Sequence, residues 1–319
     1  MVLNDASAMK ENPAYRHADV FTEHRALLFG IAYRMLGSVA EAEDLVQETY
    51  LRWQRQDAAE IETPKAWLVA TLTRLGIDQL RSARHRREEY VGVWLPEPIV
   101  DDAAPAPDRA AALADSLGVA FLFLLETLAP MERAVFLLRE VFDYDYAEIA
   151  GIVGKTEANC RQMVSRAKAT LAQREATSTA PTVKAEQIVR RFMGACATGA
   201  VGELLAVLTD DAVLYTDGGG RVKSALRPIR NADRISRFFV GIRERAMVGA
   251  EVSFTRVNGD VGVLVRRRDG AVSVSAFAFA GDRIRAIYMI NNPDKLRHVI
   301  GERLEAEQKP RMDTNEHES

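Results

Sequence analysis

Six polar side chains between positions 159 and 168 are of types that could hydrogen-bond base edges and phosphates: Asn159, Arg161, Gln162, Ser165, Arg166 and Lys168. They fall opposite an apolar stripe of Cys160, Val164, Ala167 and Leu171 at helical spacing. Amide and guanidinium groups near a helix start can bond base edges in the major groove, while cations further along meet phosphates. A second cluster, Arg74, Arg81, Arg84, Arg86 and Arg87, gathers toward the end of another helical pattern. A helix dipole favours cations there, but five arginines exceed that need and suit a phosphate-contacting patch. A third face, Asp44, Gln47 and Glu48, lies opposite a stripe of Ala42, Leu45, Val46, Thr49, Tyr50 and Trp53. From spacing alone it is a solvated acidic helix surface.

These groups need helices to hold them. Helical periodicity fills residues 18–83; Thr63 suits an N-cap and Pro64 the first helical position, with Trp67, Leu68, Thr71 and Leu75 inward. Pro96, Pro98, Pro105 and Pro107 make 93–108 an extended acidic linker. Periodicity returns over 111–174, beginning with an amphipathic helix at 113–128 and another from Pro130. A short helix at 146–152 with Ile149 and Ala150 inward, Gly154 for the turn and Thr156 as cap then lead into the polar helix. That is the pattern of a helix-turn-helix, although a plain helical hairpin shares it. Beyond a Ser/Thr/Pro break at 177–182 come helices at 183–196, 201–208 and 232–245 and a strand at 213–216. Further strands follow from 250 onward, with turns at Asn258-Gly259, Asp269-Gly270 and Gly281-Asp282. In VSVSAFAF, Val272 and Val274 share one phase and Phe277 and Phe279 the other, which calls for a bulge or burial on both faces. The fold class is therefore multidomain: two all-α modules, then an α+β module. The expected boundaries are 13–90, a linker at 91–110, 111–176, 183–300, and a charged tail at 301–319.

The chain has 319 residues and a net charge of −3, against the cationic excess of a protein that holds DNA unaided. A partner must supply much of the affinity. No apolar run approaches a membrane span, and the polar start lacks a signal-peptide core, so a cytoplasmic protein is expected. Cys160 and Cys196 lack metal-ligand spacing and read as packed, reduced thiols; neither metal nor cofactor is expected.

In the last module, Asp217 and Asp233 are acidic candidates and His298 its only histidine, with no catalytic pair evident in sequence. A regulatory or ligand-sensing role is favoured over an enzyme. DGGGRV, containing Asp217, Gly218, Gly219, Gly220 and Arg221, permits either a close backbone approach by another surface or a loose turn. NNPDKL brings Asn292, Pro293 and Asp294 to a proline turn.

EAEDLVQETYLRW followed by AWLVATLTRLGIDQLR resembles region two of extracytoplasmic-function sigma factors. LAPMERAVFLLREVFDYDYAEIAGIVGKTEANCRQMVSRAK resembles region four. Residues 183–300 resemble the SnoaL-like, NTF2-type fold, a curved sheet cupped by helices. WLPEP, DGGGRV and NPDKL together are similar to the signature of the sigma-J-like group, which carries such an extension. The resemblance implies that Asp44, Gln47 and Glu48 dock on the β′ clamp helices of core RNA polymerase, with the β subunit a further partner. It places Arg74, Asp78 and Arg81, with Arg84, Arg86 and Arg87, near the promoter −10 element, and the loop 57–63 around an unpaired base. Arg74 stands where the family usually has Asn. Asn159, Arg161, Gln162 and Ser165 would face the −35 element, with Arg166 and Lys168 on its backbone. The extension would regulate in cis, packing on the linker near Trp94 and Pro96 and restricting how far apart the two helical modules sit. Arg221 stands where the group usually has Lys.

Two other classes compete: a one-component helix-turn-helix regulator with a ligand-sensing cup, and a SnoaL-like enzyme fused to a DNA-binding module. The first leaves residues 13–90 unexplained; the second needs a catalytic pair.

Overall fold

A computed structural model of the chain describes residues 13–57, 61–100, 118–172 and 182–299. Part of the expected 57–63 loop, the linker beyond residue 100, the start of the 113–128 helix, the end of the second module and the charged tail lie outside these residues.

Helix α1 (Pro13–Leu36) ends in GIAYRML, which is apolar almost all round, and such a helix must be enclosed on every side. It is: residues 28–37 are all buried, against α2 (Val39–Trp53), α3 (Pro64–Glu88) and a helix of the second module, α5 (Pro130–Glu140). In α2 the expected stripe holds, with Tyr50 only half-buried, and Ser38 caps the N-terminus by accepting from the Glu41 amide at 3.3 Å. Helix α3 starts at Pro64 as expected, but its inward face is rotated. Leu68, Leu72, Ile77 and Leu80 are buried, while Trp67, Thr71 and Leu75 are half-buried. The face of α3 is shared between α1, α2 and the second module, so the buried set is broader than a single stripe.

Within the described residues, the 113–128 helix is confined to α4 (Val119–Leu125), with Gly118 at its N-cap and a turn before Pro130. Asp145 and Glu148 form a reciprocal capping box that starts α6 (Tyr146–Val153). Gly154, at φ +66°, ends α6 in the left-handed region that permits the tight turn into α7 (Glu157–Ala172). Thr156 Oγ1 accepts from the Asn159 amide at 3.3 Å. One continuous hydrophobic core joins α1–α3 to α4–α7, including Phe29, Leu36 and Leu72 from one side and Leu122, Leu137 and Ile149 from the other. The two helical modules are one body, where separate units on a tether were expected.

The third module pairs α8 (Thr182–Thr198), α9 (Val201–Val207) and α10 (Ala232–Ala246) with six strands. These are β1 (Leu208–Asp217), β2 (Ile229–Arg230), β3 (Glu251–Val257), β4 (Asp260–Arg266), β5 (Val272–Ala280) and β6 (Arg283–Ile290), in sheet order β2-β1-β6-β5-β4-β3. Only β1 and β6 run parallel. Strand β1 begins at Leu208, earlier than position 213, so Leu208 belongs to the sheet and not to α9. Asn258 and Gly259, at φ +52° and +79°, make the two-residue hairpin turn that the NG pair announces.

Both faces of the sheet are buried. Phe277 and Phe279 join Phe192 and Phe239 beneath the helices, whereas Val272, Val274, Ala276 and Ala278 face the opposite way, into a core shared with Leu95, Val100 and Val119. Alternation along β5 is thus unbroken. The change of apolar phase reflects burial on two sides, with a register irregularity between Ala278 and Phe279.

Candidate nucleic-acid interface

The six residues of α7 expected to read DNA are all exposed, and α7 stands on Cys160, Met163, Val164, Ala167 and Leu171. Arg161 pairs with Glu157 at 2.6 Å and lies over the Tyr146 ring at 4.9 Å. Arg166 and Lys168 reach Glu132 and Glu140 of α5 at 3.0 and 2.7 Å. These surface pairs contribute about 0–1 kcal/mol each and can exchange for phosphate contacts at little cost. Burial raises the Cys160 thiol, and pushes that of Cys196 up to about 12; both are free and enclosed.

On α2, Asp44 and Gln47 are exposed, and Glu48 is half-exposed beside Arg52 at 2.9 Å. Asp78 and Arg81 pair with each other on exposed α3 at 3.0 Å. The side chains of Arg84, Arg86 and Arg87 lie outside the described residues. Arg74 is in a different situation. Its Nε and Nη2 donate to the carbonyls of Ile152 and Gly151 at 2.7 and 2.9 Å. Those carbonyls end α6, where the helix has no donors of its own left to satisfy them. The arginine expected at the −10 element therefore caps the first helix of the helix-turn-helix.

The linker is not a solvated tether. Residues 95–100 are buried between α1–α2 and the sheet. Leu95, Ile99 and Val100, at 0%, 4% and 2% exposure, each contribute about 1.5–3 kcal/mol of burial. Pro-rich composition fixed the extended backbone, but apolar residues between the prolines decided its location. Gly37 at φ +69° lets Trp94 lie against it, since a β-carbon there would stand 2.7 Å from the indole. The Glu97 carboxylate accepts from Ser38 Oγ and the Val39 amide at 3.0 and 2.8 Å, adding a cap to α2. Tyr33 donates to the Glu97 carbonyl at 2.7 Å and accepts from Asn258 Nδ2 at 2.7 Å. Asn258 Oδ1 accepts in turn from the Ile99 amide at 3.0 Å. A residue legible only as a hairpin turn thus joins α1, the linker and the sheet.

The motif residues converge on one buried carboxylate. Asp217, fully buried at the end of β1, accepts from the Leu95 amide at 2.9 Å, Tyr90 Oη at 2.6 Å, the Gly219 amide at 3.1 Å and Lys295 Nζ at 2.7 Å. Lys295 also donates to the Leu95 carbonyl, and its ammonium lies over the rings of Trp94 and Tyr90 at 4.1 and 5.2 Å. Asn292 Nδ2 donates to Tyr90 Oη at 2.9 Å. Burial, then the adjoining Asp217 carboxylate, raises the Tyr90 phenol well above its ordinary range. Pro293 starts a short 3-10 turn that brings Asp294 to Arg221 at 3.1 Å and Arg297 at 2.6 Å.

Lys295, Tyr90, Tyr33, Glu97 and Asn258 were not singled out by sequence. Lys295 and Glu97 stood inside NPDKL and WLPEP and Asn258 inside a turn pair, but none of the five could be assigned these contacts, because the partners lie 58 or more positions away. The candidates for acid–base work have structural partners: Asp217 as above, Asp233 with Arg237 at 2.9 Å, and His298 donating to the Pro98 carbonyl at 2.8 Å with Glu97 at 3.4 Å.

The glycines answer the question left open by DGGGRV. Gly219 sits at φ +58°, and a β-carbon there would be 2.3 Å from Asn292 Nδ2. Close approach, not looseness, is their use. Replacing Gly219 with Ala should cost about 1–2 kcal/mol from the left-handed backbone alone, and should also displace Asn292 from Tyr90. Urea unfolding together with amide exchange around Tyr90 checks this; a variant matching the parent in both would show the approach to be unimportant.

In the core that also holds Leu95 and Val100, α4 packs Phe123 against Tyr215 and Tyr288 of the sheet, at 4.9 and 5.6 Å between ring centroids. The third module therefore holds the linker and the first helix of the second module simultaneously.

Residues 20–86 match the family model for Sigma-70 region 2, and residues 119–171 that for Sigma-70, region 4. The chain is 37% identical over 287 residues to the ECF RNA polymerase sigma factor SigJ of Mycobacterium tuberculosis (strain ATCC 25618 / H37Rv), covering 86% of this chain and 91% of that one. It is 34% identical over 283 residues to the probable ECF RNA polymerase sigma factor SigI of M. tuberculosis (strain CDC 1551 / Oshkosh), covering 87% and 95%. The crystal structure of M. tuberculosis SigJ is similar with a TM-score of 0.73 at 33% identity, over 88% of this chain and 98% of that one. Among the described residues no helix is long and apolar enough to cross a membrane.

Proposed function

This chain belongs to the extracytoplasmic-function RNA polymerase sigma factors, and from that premise we propose that it is held closed by its own C-terminal module until core polymerase and promoter separate its two DNA readers. The family implies core polymerase and promoter DNA as partners. In our reading, exposed Asp44 and Gln47 with Glu48 dock on the polymerase. Arg74, Asp78 and Arg81, with Arg84, Arg86 and Arg87, meet the −10 element, and the α7 face meets the −35 element.

The observation that carries the closed state is Arg74 on the end of α6. Two promoter elements centred about 25 base pairs apart are separated by roughly 85 Å at about 3.4 Å per base pair. From Arg74, α6 leads through a three-residue turn into α7, whose 16 residues span about 24 Å, so the α7 reader lies within roughly 40 Å of Arg74, and the rest of the −10 helix adds only about 20 Å. One body of this size cannot reach both elements. The linker supplies the freedom to open, and residues 95–100 are the part that the third module holds.

Charge supports dependence on a partner. Residues 1–182 contain 20 Lys and Arg against 27 Asp and Glu, so the readers themselves sit on an acidic body. The test is run-off transcription with core polymerase, combined with energy transfer between fluorophores at Arg55 and Ala169, both exposed. We expect high transfer in the free protein and low transfer in the promoter complex. Deleting residues from 291 onward should lower transfer in the free protein and change promoter output, with residues 18–172 still folded. Core polymerase that neither binds the chain nor initiates with it would refute the sigma reading. Unchanged transfer on the promoter would refute the closed state alone.

A further inference from the structure

The third module is the cationic part of an acidic protein: residues 183–300 hold 19 Lys and Arg against 12 Asp and Glu. Its charge is concentrated in one place. From 221 to 234, the connection from β1 through β2 into α10 carries Arg221, Lys223, Arg227, Arg230 and Arg234 with Asp233 as its one acid. Arg221 is engaged by Asp294, but Lys223, Arg227, Arg230 and Arg234 are exposed and make no ion pair among the described residues.

The position of this segment gives the charge a use. Gly220 approaches Val91 so closely that a β-carbon on the glycine would lie 3.3 Å from it, and Leu226 stands 3.6 Å from a β-carbon built on Gly92. Residues 91 and 92 are the chain leaving α3, the helix whose C-terminal half carries the arginines assigned to the −10 element. The Tyr90–Asp217 bond at 2.6 Å fixes this juxtaposition. Residues 220–226 therefore lie beside the chain leaving the −10 helix, and the segment continues from there through β2 on the sheet edge into α10.

We propose that residues 223–234 form a second phosphate-binding surface, which grips duplex DNA flanking the −10 element. It rests on the sigma reading above and extends it: the third module, besides restraining the readers, contributes to promoter affinity. Unpaired cations spaced three or four residues apart on an exposed segment suit a line of phosphates, and the segment begins beside the chain that leaves the helix assigned to the −10 element. Each phosphate neutralised releases counterions, so the contact has a measurable salt signature.

The experiment compares the full chain with K223Q/R227Q/R230Q, and with K184Q/R191Q/R245Q as a control that removes the same charge from α8 and the end of α10. Promoter binding by each holoenzyme, and binding of a non-specific duplex by each free chain at low salt, are measured across salt concentrations. The log–log slope should fall by about 0.9 for each lost phosphate contact, so by about 2–3 for the loop variant on the promoter. The free-chain slope should fall in the same direction, and the control should keep the parent's slopes. Core affinity should be unchanged throughout. Equal slopes for parent and loop variant overturn the proposal, as does an equal loss in the control, which would indicate overall charge alone. Weaker core binding with an unchanged promoter slope also overturns it, assigning the segment to the polymerase instead. The free-chain arm needs no polymerase, so failure of the sigma reading is seen separately, as a parent holoenzyme that does not form.

Discussion

Replacing Arg133 with alanine should destabilise the protein by about 3–5 kcal/mol and loosen both helical modules together. Arg133 is 2% exposed. Its Nε and Nη2 donate to the Arg34 carbonyl at 3.2 and 3.0 Å, and its Nη1 pairs with Glu126. The Arg34 carbonyl belongs to the last turn of α1, so a cation from the second module caps a helix of the first. Burial pushes the guanidinium down to about 9, which still leaves it charged at neutral pH, where Glu126 balances it. Removing the cation leaves a half-buried carboxylate and a carbonyl without that donor, and opens a cavity in the shared core. Arg133→Met, which fills most of the space, should recover the cavity part only. Equilibrium urea unfolding is the measurement, followed by probes in α2 and α7. Coincident transitions shifted to lower urea are expected. A loss below about 1 kcal/mol, or a shift confined to the α7 probe, would mean that the modules are not one cooperative unit.

The second large effect is expected at Asp217. Asp217→Ala removes the acceptor from four donors and leaves Lys295, whose side chain is 11% exposed, without its carboxylate. Breaking a buried pair from one side typically costs about 3–5 kcal/mol. The cost should appear first in the segment that the carboxylate holds. The amides of Leu95 and Ile99 should exchange faster by orders of magnitude, while those of α2 and α7 keep their protection. Lys295→Met tests the same contact without disturbing the turn that Asp217 makes with Gly219. The two changes should be non-additive, with a coupling of about 1–3 kcal/mol. With the linker released, initiation by saturating core polymerase should rise in either variant. Parent-like exchange at Leu95 would remove Asp217 from the regulatory contact and leave it a local turn residue.

Both effects concern residues whose significance is an address, not a type. Arg133 reads in sequence as one more charge in an amphipathic helix, and nothing at position 34 announces a backbone acceptor. Asp217 drew notice as a possible acid and as part of a glycine-rich signature tied to regulation in cis, with no partner named for it. The motif itself proved informative, because three glycines are a local statement about how closely something else can come. What came close, Asn292 and Val91, was decided by the closing of the chain.

Local physics determined the elements. Periodicity placed α2, α7 and α10, Thr63-Pro64 and Asp145 with Glu148 set helix starts, and Gly154 and Asn258-Gly259 set turns. Each of these depends on residues within a few positions of one another. The exposed polar face of α7 and the acid and amide face of α2 followed for the same reason, since a helix with one apolar stripe leaves its other side in water. Only the tertiary structure decided that two helical modules share one core, that residues 95–100 are buried, that both faces of the sheet are covered, and that Arg74 caps α6. The physical reason is that a hydrophobic surface is indifferent to its partner: sequence specifies that Leu95 or Phe123 must leave water, but the choice among surfaces that could receive it depends on every other packing decision in the molecule.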